Sequence, residues 1–187
     1  MRTLLCLLAL GWLLGFAAHG QALPTDERGQ VVFYEVVPAD TLRAGLLYAH
    51  AKAWLHRRGY TLTAADSAAG RLVATNAFAV YDRGYVSKKL HGKVQYQLTV
   101  EVKNGRYRQQ FTDFVFAYYH EDRTYHFAPT GKTKPLEEPG ASGWQKLWES
   151  HRQATRQAVE GFAAELKTAM LNVPKPVAQH QHPATDW

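Results

Sequence analysis

One stretch limits what this chain can become. Val94, Tyr96, Leu98, Val100 and Val102 alternate without a break against Gln95, Gln97, Thr99, Glu101 and Lys103. A period of two puts the apolar side chains on one face of a strand and the polar ones on the other. Such a strand buries one side and wets the other, which predicts an antiparallel sheet covered on a single face. Asn104 and Gly105 follow. That pair suits the two positive φ angles of a type I′ turn, so the chain is expected to double back as a hairpin, Val94 to Tyr119. A two-residue turn sets the register. Lys103 faces Arg106, Val102 faces Tyr107, Glu101 faces Arg108 and Leu98 faces Phe111. Carried further, the register puts Asp113 on the apolar side opposite Tyr96, where an unpaired carboxylate is costly. A β-bulge near Thr112 and Asp113 is therefore expected, turning Asp113 outward and bringing Phe114 and Phe116 inward.

The remaining elements are read around this hairpin. Val31–Val37 is β-branched and aromatic, a strand that Pro38 closes. Asp40 is the expected N-cap of a helix from Thr41 to Arg58, whose apolar stripe is Leu47, Ala51, Trp54 and Leu55. Tyr60–Leu62 reads as a short extended piece and Asp66–Gly70 as a turn. Arg71–Tyr81 is a strand with Leu72, Ala74, Phe78 and Val80 on one side, a side that Asn76 interrupts. Asp82–Lys93 reads as a basic loop. His120–Gly140 is rich in turn-formers, with a short strand around Tyr125–Ala128. Ser142 and Gln145 suggest a capping box for a last helix. Trp144, Trp148, His151, Thr155, Val159, Phe162, Leu166 and Met170 trace one face of it. It ends near Asn172, before Pro174. The order β-α-β-β-β(-β)-α predicts an α+β fold, a mostly antiparallel sheet with two helices on one face.

The flanks carry different signals. Residues 1–22 read as a signal peptide: Arg2, an apolar run from Leu4 to Ala18, then Gly20, Gln21 and Ala22 as a small-x-small cleavage site. The run is shorter than the ~20 residues of a spanning helix. Export to the periplasm or cell envelope is expected, with a mature start near Leu23 and no transmembrane helix after cleavage. Residues 23–172 form the single expected domain. The 173–187 tail, with three prolines, is expected to be disordered.

Chemical signatures are sparse. The only cysteine is Cys6, inside the leader, so the mature chain holds no disulfide, thiol nucleophile or CxxC metal site. GxSxG, P-loop and GxGxxG patterns are missing, and Ser142 is explained as a helix cap. His120, Glu121, Asp122 and His126 sit close in sequence, but their spacing matches no standard zinc pattern, and a solvated polar loop is the favoured reading. His180 and His182 belong to the tail. Tyr118, Tyr119, Tyr125 and Phe127 suggest an aromatic platform for glycan, against the plainer reading of strand ends. Trp54, Trp144 and Trp148 lie on apolar helix faces, and core packing is expected of them. His151, on the inner face of the last helix, is read as hydrogen-bonded or peripheral. The formal net charge of +6 favours anionic partners. Arg83, Tyr85, Lys88, Lys89 and Lys93 in the basic loop are the candidate anion or partner contacts. No catalytic residue, metal ligand or cofactor is assigned.

Several stretches together resemble a known family. They are GQVVFYEVV after the leader, LLYAHAKAWL in the first helix, KNGRYRQQFTDF across the hairpin, and PLEE at Pro135–Glu138 before the closing helix. They are similar to domain of unknown function 4468, a family of secreted bacterial proteins with a TBP-like fold. The resemblance covers about Leu23 to Tyr119 and implies a β-α-β-β-β-β-α domain. It carries no assigned activity and no active-site residues, and its shape alone does not imply DNA binding. The sequence therefore favours an exported, non-enzymatic domain that binds an envelope protein or a glycan, with no nucleic acid expected. An envelope hydrolase with a spatially assembled site is the alternative.

Overall fold

The structure, a computed structural model, describes residues 22–83, 88–124 and 126–172. The expectations placed on the rest of the leader, on Tyr85 and Tyr125, and on the tail with His180 and His182 lie outside the described residues. In chain order the elements are β1 (Phe33–Pro38), α1 (Ala44–Arg57), β2 (Thr61–Asp66), β3 (Arg71–Arg83), β4 (Lys88–Lys103), β5 (Arg106–Glu121), β6 (Phe127–Pro135) and α2 (Gln145–Leu171).

The β4–β5 hairpin is the spine of a six-stranded sheet ordered β1-β5-β4-β3-β2, every pair antiparallel. Its register is the expected one, with Lys103, Val102, Glu101 and Leu98 facing Arg106, Tyr107, Arg108 and Phe111. The bulge also falls where expected. Gln95 pairs with Val115 and Gln97 with Thr112. Asp113 is exposed at φ 56°, and Phe114 and Phe116 are buried.

The bulge divides one edge of β5 between two strands. β1 pairs with Arg106–Phe111, and β6 pairs with Val115–Glu121. The seam between them is closed by the PLEE segment. Leu136 is fully buried and donates its N–H to Phe114 O at 3.1 Å. Glu137 Oε1 accepts the Val31 N–H at 2.8 Å. Both strand ends thus find partners for backbone groups that burial would leave costly.

Both helices cover the same face. Leu47, Ala51, Trp54 and Leu55 of α1 and Trp148, Val159, Leu166 and Met170 of α2 share one core with Leu72, Ala74, Val94, Tyr96, Leu98 and Val100. Tyr96 is its polar centre, 2.7 Å from Tyr60 by a hydroxyl–hydroxyl bond. Burial raises both phenols, Tyr60 to about 12. Asn76, which breaks the inward row of β3, donates its amide to Arg58 O at the end of α1 (3.3 Å).

Four local expectations are corrected. The turn is not type I′, because Gly105 has φ 75° while Asn104 is not in the positive region. That combination is the type II pattern. It lets the Gly105 N–H donate to Leu42 O (2.9 Å), while Gly105 O accepts the Ala39 N–H (2.8 Å). Helix α1 starts at Ala44 rather than Thr41, and Asp40 does not cap it. Asn104 does, its Oδ1 accepting the Ala44 N–H at 2.9 Å. Helix α2 starts at Gln145 with no side-chain cap, because Gly143 at φ 82° keeps Ser142 outside the helical path. Finally, much of the predicted basic loop is strand. β3 and β4 continue to the pair Arg83↔Lys88, and the short pieces read as β2 and β6 are likewise longer than expected.

Candidate functional site

Extending β4 through the predicted loop has one consequence that alternation could not show. Val80 pairs with Gly92 and Tyr81 with Leu90, so His91 is the extra residue of a second bulge. Gly92 is required there. A Cβ on it would lie 2.4 Å from Ala117 O and 2.4 Å from the Phe116 ring. The bulge carries the His91 ring to within 5.6 Å of the Phe116 ring and 4.9 Å of the His151 ring.

His151 comes from the first turns of α2 and is almost wholly buried. Its ring stacks on Phe116 at 5.0 Å and 11°. The His91 Nδ1 and His151 Nε2 atoms are 2.6 Å apart. One hydrogen lies between them, so one imidazole donates and the other accepts. The hydrogen-bonded reading of His151 holds. His91, which lies within the expected basic loop Asp82–Lys93, is instead its partner.

These rings floor a cleft of about 260 Å³ lined by His91, Tyr118, Lys134, Trp144, Trp148 and His151, with Gly140, Ala141 and Leu147. Trp148 is buried as expected, and its Nε1–H donates to Glu138 O at 2.7 Å. Trp144 is not in the core. It is 59% exposed, because it precedes the helix expected to bury it, and it stands at the mouth of the cleft. Lys134 reaches in from β6. Its Nζ donates to Pro139 O at 2.6 Å and lies 4.7 Å from the Trp148 ring centroid. Burial raises the Tyr118 phenol above its ordinary value, and the Glu138 carboxylate adds to that.

The cleft thus offers aromatic faces, two coupled imidazoles, a phenol and an ammonium. Its described lining includes no carboxylate, serine or thiol. Acyl transfer and glycoside hydrolysis each need a nucleophile or a carboxylate pair at the reacting bond. The arrangement suits holding a ligand with an apolar face and a few polar groups.

The residues singled out from the sequence are placed elsewhere. Lys93 projects from the open face of the sheet, its Nζ 5.4 Å from the Tyr119 ring, and Lys89 pairs with Glu121 at 3.3 Å. Arg83 and Lys88 pair through their backbones at the strand ends. Tyr85 lies outside the described residues. Tyr118 packs beside His91 and Phe116, whereas Tyr119 lies by Lys93. His120 and Glu121 end β5, paired with Ala128 and Phe127 of β6, and Asp122 and His126 belong to the turn that follows. There Asp122 Oδ1 accepts from Thr124 N, Thr124 Oγ1 and His126 N at 2.7–2.9 Å, and these bonds hold its carboxyl below the ordinary range. Among the described residues no three His, Cys, Asp or Glu side chains are grouped to hold a metal ion. No described helix is long and apolar enough to cross a membrane.

Comparison with known proteins places this architecture. The solved structures that share it include two at similar TM-scores. One is a TBP-like protein from Parabacteroides distasonis ATCC 8503, with TM-score 0.63 and 16% identity, covering 81% of this chain and 98% of that one. The other is a DUF4468 family protein from Bacteroides ovatus ATCC 8483, with TM-score 0.64 and 17% identity, covering 83% and 94%. At that identity the likeness shows the fold alone. No curated protein matches the chain. The family model described as "Domain of unknown function (DUF4468) with TBP-like fold" matches residues 33–117, which run from the start of β1 into β5 and hold the hairpin turn and the helix it caps. Residues 33–117 thus match the DUF4468 family model, and the α+β fold built on them is TBP-like.

Proposed function

We propose that this chain is an exported binding domain of the periplasm or cell envelope, and that the cleft under the first turns of α2 is where it takes its ligand. One observation carries the reading. An exposed tryptophan, Trp144, guards an aromatic cleft whose floor is a hydrogen-bonded histidine pair. A large aromatic left in water beside a concave, ring-lined surface is a recognition feature more than a packing one. The ligand this suits is small, with one apolar face, such as a sugar ring or an aromatic group, and with acceptors for the histidine pair and Lys134.

Export is supported by the leader pattern and by Leu23, which is packed in the core beside the expected cleavage point. Lys89 and Lys93 flank His91 in the chain. Together with Arg83, Tyr85 and Lys88 they remain the proposed anion or partner contacts of the β3–β4 hairpin.

The test is a titration of isotope-labelled protein with a library of monosaccharide and aromatic fragments, read by NMR at the indole N–H signals. Ligands should shift Trp144 and Trp148 and leave the buried Trp54 unmoved. Trp144→Ala should abolish the shifts with stability changed by less than about 0.5 kcal/mol, as for exposed sites generally. A library that moves neither indole would refute the cleft. Recovery of an intact Met1 form from the cytoplasm of the native host would refute export.

A further inference from the structure

A second feature lies on the opposite, open face of the sheet, at the β4–β5 turn. Cross-strand pairing sets Asp66, Arg71, Glu101, Arg108 and Val36 in one row, and Lys103, Arg106 and Pro38 in the next. Lys103 and Arg106 therefore face each other directly. Like charges opposite one another in a sheet are destabilising, and the turn does not relieve them. Among the described residues neither forms an ion pair. Two carboxylates stand in these rows: Asp66 Oδ1 accepts the Ala68 and Ala69 N–H groups at the β2 end, and Glu101 is taken by Arg108 on one side and by Arg71, at 3.7 Å, on the other. Four cations and two carboxylates leave a net charge of two on this corner. It holds a depression of about 240 Å³ that also includes Tyr34 and Val36, 58% and 48% exposed. The Arg108 guanidinium lies 5.9 Å from the Tyr34 ring centroid.

We propose that this corner binds a sulfate- or phosphate-bearing glycan chain, at a site separate from the cleft. Guanidinium groups match the oxygens of such esters in bidentate fashion, and an ammonium beside them adds charge. The rows behind the corner say what the anion is attached to. They run Tyr34, Gln110, Thr99, Val73, and then Thr112, Gln97, Thr75, Thr61. Thr99 and Val73 are buried, and the others present amides, hydroxyls and the Tyr34 ring to solvent, suited to a polar polymer lying along the sheet. Tyr34 and Val36 protrude beside the cations, but they stand at one end of otherwise polar rows, whereas a membrane-docking face would surround its cations with apolar groups. The unfavourable Lys103–Arg106 pairing is then the stability given up for this contact.

The test uses the full-length protein with dextran sulfate and with unmodified dextran, by calorimetric titration at low and high salt, alongside urea unfolding. The sulfated polymer should bind and the neutral one should not. Lys103→Ser combined with Arg106→Ser should weaken binding roughly tenfold or more, and should flatten the logarithmic salt dependence by between about one and two. The same double variant should unfold at the same or a higher urea concentration, so lost affinity cannot be lost folding. Lys134→Gln, in the cleft, should leave dextran sulfate binding unchanged. Equal binding of both dextrans, or full affinity in the double variant, would overturn the proposal. So would tighter binding to phosphatidylglycerol vesicles or to duplex DNA than to dextran sulfate.

Discussion

Replacing Asn104 by glycine separates two reasons for an asparagine at that position. If Asn104 served the turn alone, by accepting a positive φ, glycine would serve as well or better. The structure gives it a different task, since its Oδ1 caps α1 through the Ala44 N–H. Alanine at 104 then costs one N-cap bond, about 1 kcal/mol within a range of 0.5–2. Glycine loses the same bond and adds unfolded-state freedom, bringing the cost to about 1–2 kcal/mol. Aspartate keeps an acceptor oxygen and adds negative charge at a helix start whose first turn holds no acidic residue. It should gain about 0.3–1 kcal/mol at low salt, and less as salt rises. Urea unfolding with linear extrapolation resolves these steps if the m-value stays constant. The expected order of stability is Asp, Asn, Ala, Gly. A glycine variant as stable as the parent, with aspartate no better, would show that the long-range cap contributes nothing.

Other outcomes follow from single contacts. Gly92→Ala should destabilise by about 1–3 kcal/mol or more, as overpacking does, because the new methyl meets backbone as well as a buried ring; thermal melting checks it, and an unchanged midpoint would count against the second bulge. Leu98→Ala should cost about 2–5 kcal/mol, whereas Glu101→Ala on the open face should cost only about 0.2–1 kcal/mol. Equal costs in denaturant unfolding would mean the two faces are assigned backwards. The folded-state pKa of Tyr60 is raised from 10.0 to about 12, so its contribution is complete below pH 10 and is lost as pH rises toward 12. Urea midpoints should fall across that window, and more gently in Tyr60→Phe.

The features legible in the sequence are those that depend on period and local cost. The alternation in β4 places its faces, and the cost of burying Asp113 locates the first bulge from the pattern alone. The second bulge leaves no such mark, because Gly92 and His91 sit in a stretch that reads as loop charge. That one extra residue is why alternation assigns His91 to solvent and not to the cleft. Capping escapes a local reading for a similar reason. Local rules look for a cap within a few residues, so Asp40 and Ser142 are the natural choices. The acceptors that serve the start of α1 and Val31, two residues before β1, are Asn104 and Glu137, which are 60 and 106 residues away. The cleft is invisible as a site in one dimension because its walls come from β4, β5, β6 and α2, each residue being ordinary in its own segment.

The cap has a bearing on how this protein ages. An asparagine followed by glycine is the dipeptide most prone to lose its side-chain amide, since the glycine nitrogen can attack the neighbouring carbonyl carbon and close a succinimide ring. Here that nitrogen is committed to Leu42 O, and the Asn104 amide is itself held by α1. Ring closure must wait for the hairpin end and the helix start to separate. Isoaspartate, a main product, lengthens the backbone by one carbon and cannot re-form the turn, so each closure that hydrolyses to it traps the opened form. Mass-spectrometric counts of modified Asn104 over weeks of storage should therefore track native-state opening of this corner, slow in the parent and faster wherever a substitution at Leu42 or Ala44 loosens the clasp.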